Sequence, residues 1–201
     1  MELKEYLNIL KIHIKTFVLM VVLVVIAGIA YLIFRPIIFN ASLTLNITRN
    51  NTQTTADYKY DDFYRLQADE KFAETVVGWM KSPRTVSDIY ADADISTDQF
   101  SLEKMEKIFH SEKLSSQIVS IKFSTNTPEK AKKISDSIGK IIARNIDSLN
   151  KNQKEESWFE VVAQNPVIVQ NKVNFWLVIL AALALGIFLG LWTVLIICYL
   201  K

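Results

Sequence analysis

Two uncharged apolar runs, one near each end of the sequence, constrain this chain more than anything between them. Residues 17–34 read FVLMVVLVVIAGIAYLIF, and eighteen residues without a charge is about the shortest stretch read as a membrane-spanning helix. The second run, residues 173–200, begins VNFWLVILAALALGIFLGLW and is longer still. Lys11 and Lys15 precede the first run and Arg35-Pro36 closes it, while Lys172 and Lys201 bracket the second. Two such segments in 201 residues exclude a single soluble globule. They also account for a mean hydropathy of +0.19 in a chain whose residues are 50% hydrophobic. A cleaved secretory signal is the other reading of the first run, because Gly28-Ile29-Ala30 is a small-x-small triplet. YLIF follows that triplet where a cleavage site needs polar chain, so the run reads as a retained anchor.

The short flanks orient the chain, since long loops translocate largely regardless of their charge. Lys4, Lys11 and Lys15 lie before the first run and Lys201 after the second, which predicts two cytoplasmic ends and an exported middle. The expected organisation is a cytoplasmic lead over 1–16, a first membrane helix over 17–34, an exported domain over 35–172 and a second membrane helix over 173–200. This places the chain in the cell membrane, in the inner one where there are two, with lipid as a partner. Phe17, Tyr31 and Phe34 mark the interfaces of the first helix, and Phe175, Trp176, Trp192 and Tyr199 those of the second. The exported segment holds 19 basic and 19 acidic residues, so it carries no field that would draw in nucleic acid. In the second helix Ala182, Gly186 and Gly190 recur every four residues and form one stripe, which predicts close helix approach and self-association in the bilayer.

Between the anchors the pattern alternates between strand and helix. FNASLTLNIT, residues 39–48, puts Leu43, Leu45 and Ile47 on one face and reads as a half-buried strand. Residues 49–55 read as a loop. A helix follows from about Asp57 to Met80, with Tyr60, Phe63, Tyr64, Phe72, Val76 and Trp79 as its apolar positions, and Ser82-Pro83 stops it. Short helices are expected over 84–90 and 101–109, the second carrying Leu102, Met105, Ile108 and Phe109. Residues 116–124 alternate again, with Val119, Ile121 and Phe123 inward. Thr127-Pro128-Glu129 is a strong helix start, and Ala131, Ile134, Ile138, Ile141, Ile142, Ile146 and Leu149 hold a helical stripe to about Gln153. A third strand over 158–163 leads through Asn165-Pro166 and Val167-Ile168-Val169 into the second membrane helix. The expected fold class is therefore an α+β membrane protein. Two transmembrane helices flank one exported α/β domain, with a small sheet near the membrane and long helices.

No chemistry of bond making or breaking is written into these residues. GxxxxGK[ST], HExxH, GxSxG and paired CxxC are all missing, so the expectation is a non-enzyme without cofactor or metal. Cys198 is the single cysteine and lies inside the second apolar run. His13 and His110 are too few for a metal cluster, and His110 reads as a solvated surface histidine. Asp61-Asp62 and Glu155-Glu156 read as solvated helix faces, because adjacent residues on a helix point apart. The sequons at Asn40, Asn46 and Asn50 matter only in a cell that glycosylates exported asparagine.

The opening MELKEYLNILKIHIKTFVLMVVLVVIAGIAYLIFRPIIFNASLTLNIT combines a basic amphipathic lead, a membrane helix and an alternating strand. It resembles the N-terminal region of the chain-length determinant proteins of bacterial surface polysaccharides, the Wzz-type polysaccharide co-polymerases. YKYDDFYRLQADEKFAETVVGWMKSP is similar to the helix that follows in small members of that family. The resemblance implies a non-catalytic protein that regulates the chain length or export of an O-antigen, capsule or exopolysaccharide. It implies a homo-oligomer acting as a scaffold, with a polysaccharide polymerase or the nascent polysaccharide as partner. The family usually approaches its second membrane helix through several prolines, whereas only Pro166 stands there in this chain. No fused kinase is expected after Lys201. The competing reading is a two-helix adaptor or sensor that binds an external ligand and signals through its lead to a separate cytoplasmic kinase.

Overall fold

The structure is a computed structural model and describes residues 10–48, 61–151 and 159–200, with residues 61–65 described for the backbone alone. Several expectations lie outside these residues. They are most of the lead, the loop at 49–55, the helix start at Asp57 with Tyr60, the side chains of Asp61, Asp62, Phe63 and Tyr64, the sequon at Asn50, Glu155-Glu156, and the strand start at Trp158. The chain divides into two compact units, residues Met1–Pro36 with Lys172–Lys201, and residues Ile37–Asn171.

The first unit is a pair of helices, α1 over Ile14–Phe34 and the last helix of the chain over Phe175–Leu200. Both are long and apolar enough to cross a membrane. The helical turn at the start of α1 begins three residues before the uncharged run, because Ile14, Lys15 and Thr16 continue the helix without a breaker. Its end is set by Arg35, whose extended backbone precedes Pro36. The carboxamide oxygen of Asn174 accepts from the Trp176 backbone N–H at 3.1 Å and so caps the start of the last helix. Large apolar side chains such as Leu19, Ile26, Leu180 and Phe188 lie open on the outer surface of the pair, which suits a hydrocarbon solvent and not water.

The second unit is an antiparallel sheet with helices on one of its faces. Its elements run β1 (Phe39–Thr48), α2 (Asp61–Met80), α3 (Pro83–Asp92), α4 (Leu102–Ile108), β2 (His110–Ser115), β3 (Ile118–Thr125), α5 (Pro128–Asn150), β4 (Glu160–Ala163) and β5 (Val167–Gln170). The last helix of the chain is then α6. β1 is central. β3 pairs along one side of it, with Leu43 opposite Ile121, and β2 adds outside β3. β4 and β5 share the other side of β1, Ile47 facing Val161 and Ala41 facing Ile168. Between β4 and β5, Pro166 has no N–H to give to the ladder, and Gln164 N bonding Thr44 O at 2.9 Å keeps the edge attached across the break.

Alternation in β1 buries Ala41, Leu43, Leu45 and Ile47 on one face. Val119, Ile121 and Phe123 join them from β3, and Phe72, Ala73, Val76 and Met80 of α2 with Val86 and Ile89 of α3 complete a single core. α5 starts where the sequence indicates, the Thr127 hydroxyl accepting from Lys130 N at 3.3 Å with Pro128 in the first turn. Its buried stripe runs through Ala131, Ile134, Ile138, Ile141, Ile142 and Ile146; the helix is described as far as Asn150, and the end expected near Gln153 lies outside the described residues. α3 closes with the left-handed residue Asp94 (φ 58°), Asp94 N bonding Ala91 O and Ile95 N bonding Tyr90 O at 2.9 Å. That pair of bonds is a Schellman cap with aspartate in the place glycine usually takes.

Four readings of the sequence are corrected. Leu149 is 42% exposed, because the stripe has rotated past the core by the last turn of α5. Leu102 is 70% exposed, because the two-turn α4 presents only Met105 and Ile108 to the core. Residues 110–115 form an edge strand where no element was expected, and Val167-Ile168-Val169 is a strand of the sheet, not a plain lead-in to α6.

Candidate functional site

Among the described residues no three His, Cys, Asp or Glu side chains come together in a way that could hold a metal ion. The features that could carry function are instead surfaces: the seam between α1 and α6, the open face of the sheet, and a groove at one end of that sheet.

The seam is built from the small residues of the stripe. Ala182, Gly186 and Gly190 are buried, with Val194 continuing the line. They face α1 of the same chain. A Cβ on Gly186 would lie 3.2 Å from the Val21 Cα and 3.3 Å from its carbonyl oxygen, and one on Gly190 would lie 2.8 Å from the Phe17 ring. From the other side, a Cβ on Gly28 would come within 2.9 Å of the Ala182 Cβ. The two backbones therefore approach at a distance that only missing side chains permit. The Thr193 hydroxyl donates to Gly190 O at 2.9 Å, which satisfies it within this apolar helix. Ala182, Gly186 and Gly190 thus pack against α1 of the same chain, while self-association through this stripe would involve a second copy.

In the second unit the sheet face away from the helices carries Asn40, Ser42, Thr44 and Asn46 of β1 opposite Ser124, Lys122 and Ser120 of β3. His110 and Glu112 of β2 lie on the same face, opposite Lys122 and Ser120. At the other edge Val167 and Val169 pair with Ser42 and Asn40, and they are 64% and 59% exposed. The two sequons Asn40 and Asn46 thus sit inside the central strand. Lys122 Nζ meets the Glu112 carboxylate at 2.5 Å, and this lysine holds the Glu112 carboxyl below its ordinary range.

Other charges tie elements together. Lys113 Nζ reaches from β2 to Glu70 at 2.6 Å and Glu74 at 3.0 Å on α2, and the two carboxylates raise its pKa. Lys71 and Lys113 in turn lower that of Glu74. Asp92 at the end of α3 accepts from the Ser137 hydroxyl on α5 at 2.7 Å, with Lys140 at 3.4 Å; the Ser137 bond is the main reason its carboxyl is held below the usual range. Tyr90 is pushed up by burial.

The groove lies where the start of β1, the end of β3 and β5 meet α4, and has a volume of about 790 Å3. His110 is exposed at its margin, a solvated residue as its sequence surroundings indicate. No local pattern announces this groove, since its residues come from segments between 40 and 169 that only the fold brings together.

Residues 1–93 match the family model described as chain length determinant protein, Wzz, a span that contains α1, β1, α2 and α3. No curated protein matches the chain. The family match covers the same opening strand and helices that carry the resemblance, and over residues 1–93 this chain is similar to the Wzz chain length determinant proteins.

Proposed function

We propose that the chain is a membrane-anchored co-polymerase that regulates how far a surface polysaccharide is extended, acting as a scaffold and not as an enzyme. The family match over residues 1–93 carries this reading, because that family is concerned with polysaccharide chain length, is associated with the inner membrane and works without catalysis. Two apolar helices on either side of one folded unit support an arrangement with both ends in the cytoplasm and Ile37–Asn171 exported. The closeness of β1 to α1 and of β5 to α6 along the chain supports a sheet held near the bilayer.

Assembly is side by side through copies of the exported unit, around or beside a polymerase. Ala182, Gly186 and Gly190 contribute to assembly indirectly, by locking α1 to α6 so that each subunit presents one rigid hairpin to the next. The test has two parts. Deletion of the gene in its host, followed by gel analysis of the polysaccharide, should change the distribution of chain lengths. Crosslinking of the protein in intact membranes should give a ladder of homo-oligomers. An unchanged length distribution, or a strict monomer at all concentrations, rejects the reading.

A further inference from the structure

The groove at the end of the sheet has the volume of a ligand site, about 790 Å3 against roughly 300–1,000 Å3 for small-molecule pockets generally. Its lining holds Lys104, Lys122 and His110, the carboxamides of Asn40 and Asn126, and no carboxylate. Lys104 Nζ sits 4.1 Å from the centre of the Phe100 ring and, among the described residues, makes no ion pair. Lys122 is already balanced by Glu112, so Lys104 is the lysine with charge to spare. The Ser124 hydroxyl donates to Asn40 Oδ1 at 2.9 Å, which fixes that carboxamide and leaves its amide hydrogens uncommitted by the bond. Hydrogen-bond donors therefore outnumber acceptors around the groove. Its apolar lining includes Phe100, Ile108, Val167 and Val169.

This mixture matches a particular chemistry. A pyranose ring presents an apolar C–H face to an aromatic or aliphatic wall and a rim of oxygens to amides and hydroxyls. The groove is partly open to solvent, which leaves room for a segment of a longer polymer as well as for a small molecule. The excess of donors and the unpaired lysine favour oxygens that carry negative charge. We propose that the groove binds an acidic oligosaccharide, with Lys104 engaging a sugar carboxylate and Asn40 and Asn126 engaging ring hydroxyls. The proposal rests on the reading that this chain acts on a polysaccharide, and adds to it a site and a charge class.

The test uses the full chain in detergent or nanodiscs and isothermal titration with three probes: trigalacturonate, neutral maltotriose and inorganic pyrophosphate. Trigalacturonate should bind, more weakly as salt is raised, while maltotriose should bind at least about tenfold more weakly because it lacks the charge-assisted contact. Lys104→Glu and Asn126→Ala should each weaken trigalacturonate binding by about tenfold, and Lys104→Arg should restore it. Lys132→Ala, on the exposed side of α5, should leave binding unchanged, and a thermal melt of each variant confirms that it is folded. Equal affinity for maltotriose, pyrophosphate binding in place of trigalacturonate, or folded Lys104 and Asn126 variants that bind as the wild type does would each overturn the proposal. Its failure is separable from that of the proposed function. Loss of binding with an altered polymer length on gene deletion removes only the groove, whereas binding without any effect on polymer length removes only the co-polymerase role.

Discussion

Phe72 on α2 and Phe159 just before β4 stack face to face, ring centroids 3.9 Å apart and planes 4° from parallel. Phe159 also exchanges hydrogen bonds with Asn150, the last residue of α5, whose Nδ2 donates to Phe159 O at 3.0 Å. The point where the chain turns back into the sheet is therefore held by one ring and one carboxamide.

Phe72→Ala removes a ring that is only 7% exposed and opens a cavity under this stack. It should destabilise the unit by about 3–5 kcal/mol, read as a lowered urea midpoint of tryptophan emission. Phe159→Leu should cost less, because an aliphatic side chain still covers Phe72. A Phe72→Ala change of under ~1 kcal/mol would show that the stack does not secure this edge.

The seam between α1 and α6 predicts a backbone-specific effect. Gly186→Val would drive a side chain into the Val21 backbone, which cannot move aside, while the ring met by Gly190→Ala can rotate. Gly186→Val should therefore destabilise the hairpin by about 1–3 kcal/mol. The Gly190→Ala defect should be smaller and should be relieved when Phe17→Ala is added. Unfolding in mixed micelles with rising denaturing detergent measures both, and failure of the double variant to recover would refute the assigned contact.

Asp92 links stability to pH. Its carboxyl is held below 3.8 by the Ser137 hydroxyl first and by Lys140 second, so the folded state binds a proton less readily than the unfolded one. The stabilisation is present above pH 3.8 and is lost as pH falls through the folded value. Asp92→Ala also leaves the hydroxyl of the buried Ser137 without this partner, at a cost of about 1–3 kcal/mol at neutral pH. The gap between wild type and variant should narrow in acid. A gap that stays constant from pH 7 to 3 would contradict the linkage.

Ser135 predicts a gain. Its hydroxyl is buried on α5 and, among the described residues, is the buried side-chain oxygen without a hydrogen-bond partner. Ser135→Ala removes an unpaired polar atom and substitutes a better helix former, so stability should rise by about 0.5–1.5 kcal/mol. A lower melting temperature in the variant would argue that the hydroxyl has a role in the fold.

The parts of the fold legible in the sequence were those with a strong period. β1 and the stripe of α5 stand out because each has one face in the core and one in solvent, so burial writes itself into residue order. β2 was missed because His110-Ser-Glu-Lys-Leu-Ser has polar residues on both faces. Its inward positions, Ser111 and Lys113, satisfy themselves on Val77 O and on Glu70 and Glu74, which no local pattern announces. β5 was missed because three apolar residues ahead of a membrane helix look like an extension of it. The spacing of Ala182, Gly186 and Gly190 identifies residues that admit a helix and says nothing about which helix enters, and in this chain α1 packs there.

The position of β1 carries a consequence for how the protein is made. It is translated more than a hundred residues before the neighbours on one of its sides, β4 and β5. Until Gln170 has been added, a long strand with unpaired N–H and C=O groups stays open to any passing β-rich chain. Nascent copies emerging close together are thus exposed to mispairing, which makes shielding by a chaperone most valuable in the interval between translation of Thr48 and of Gln170.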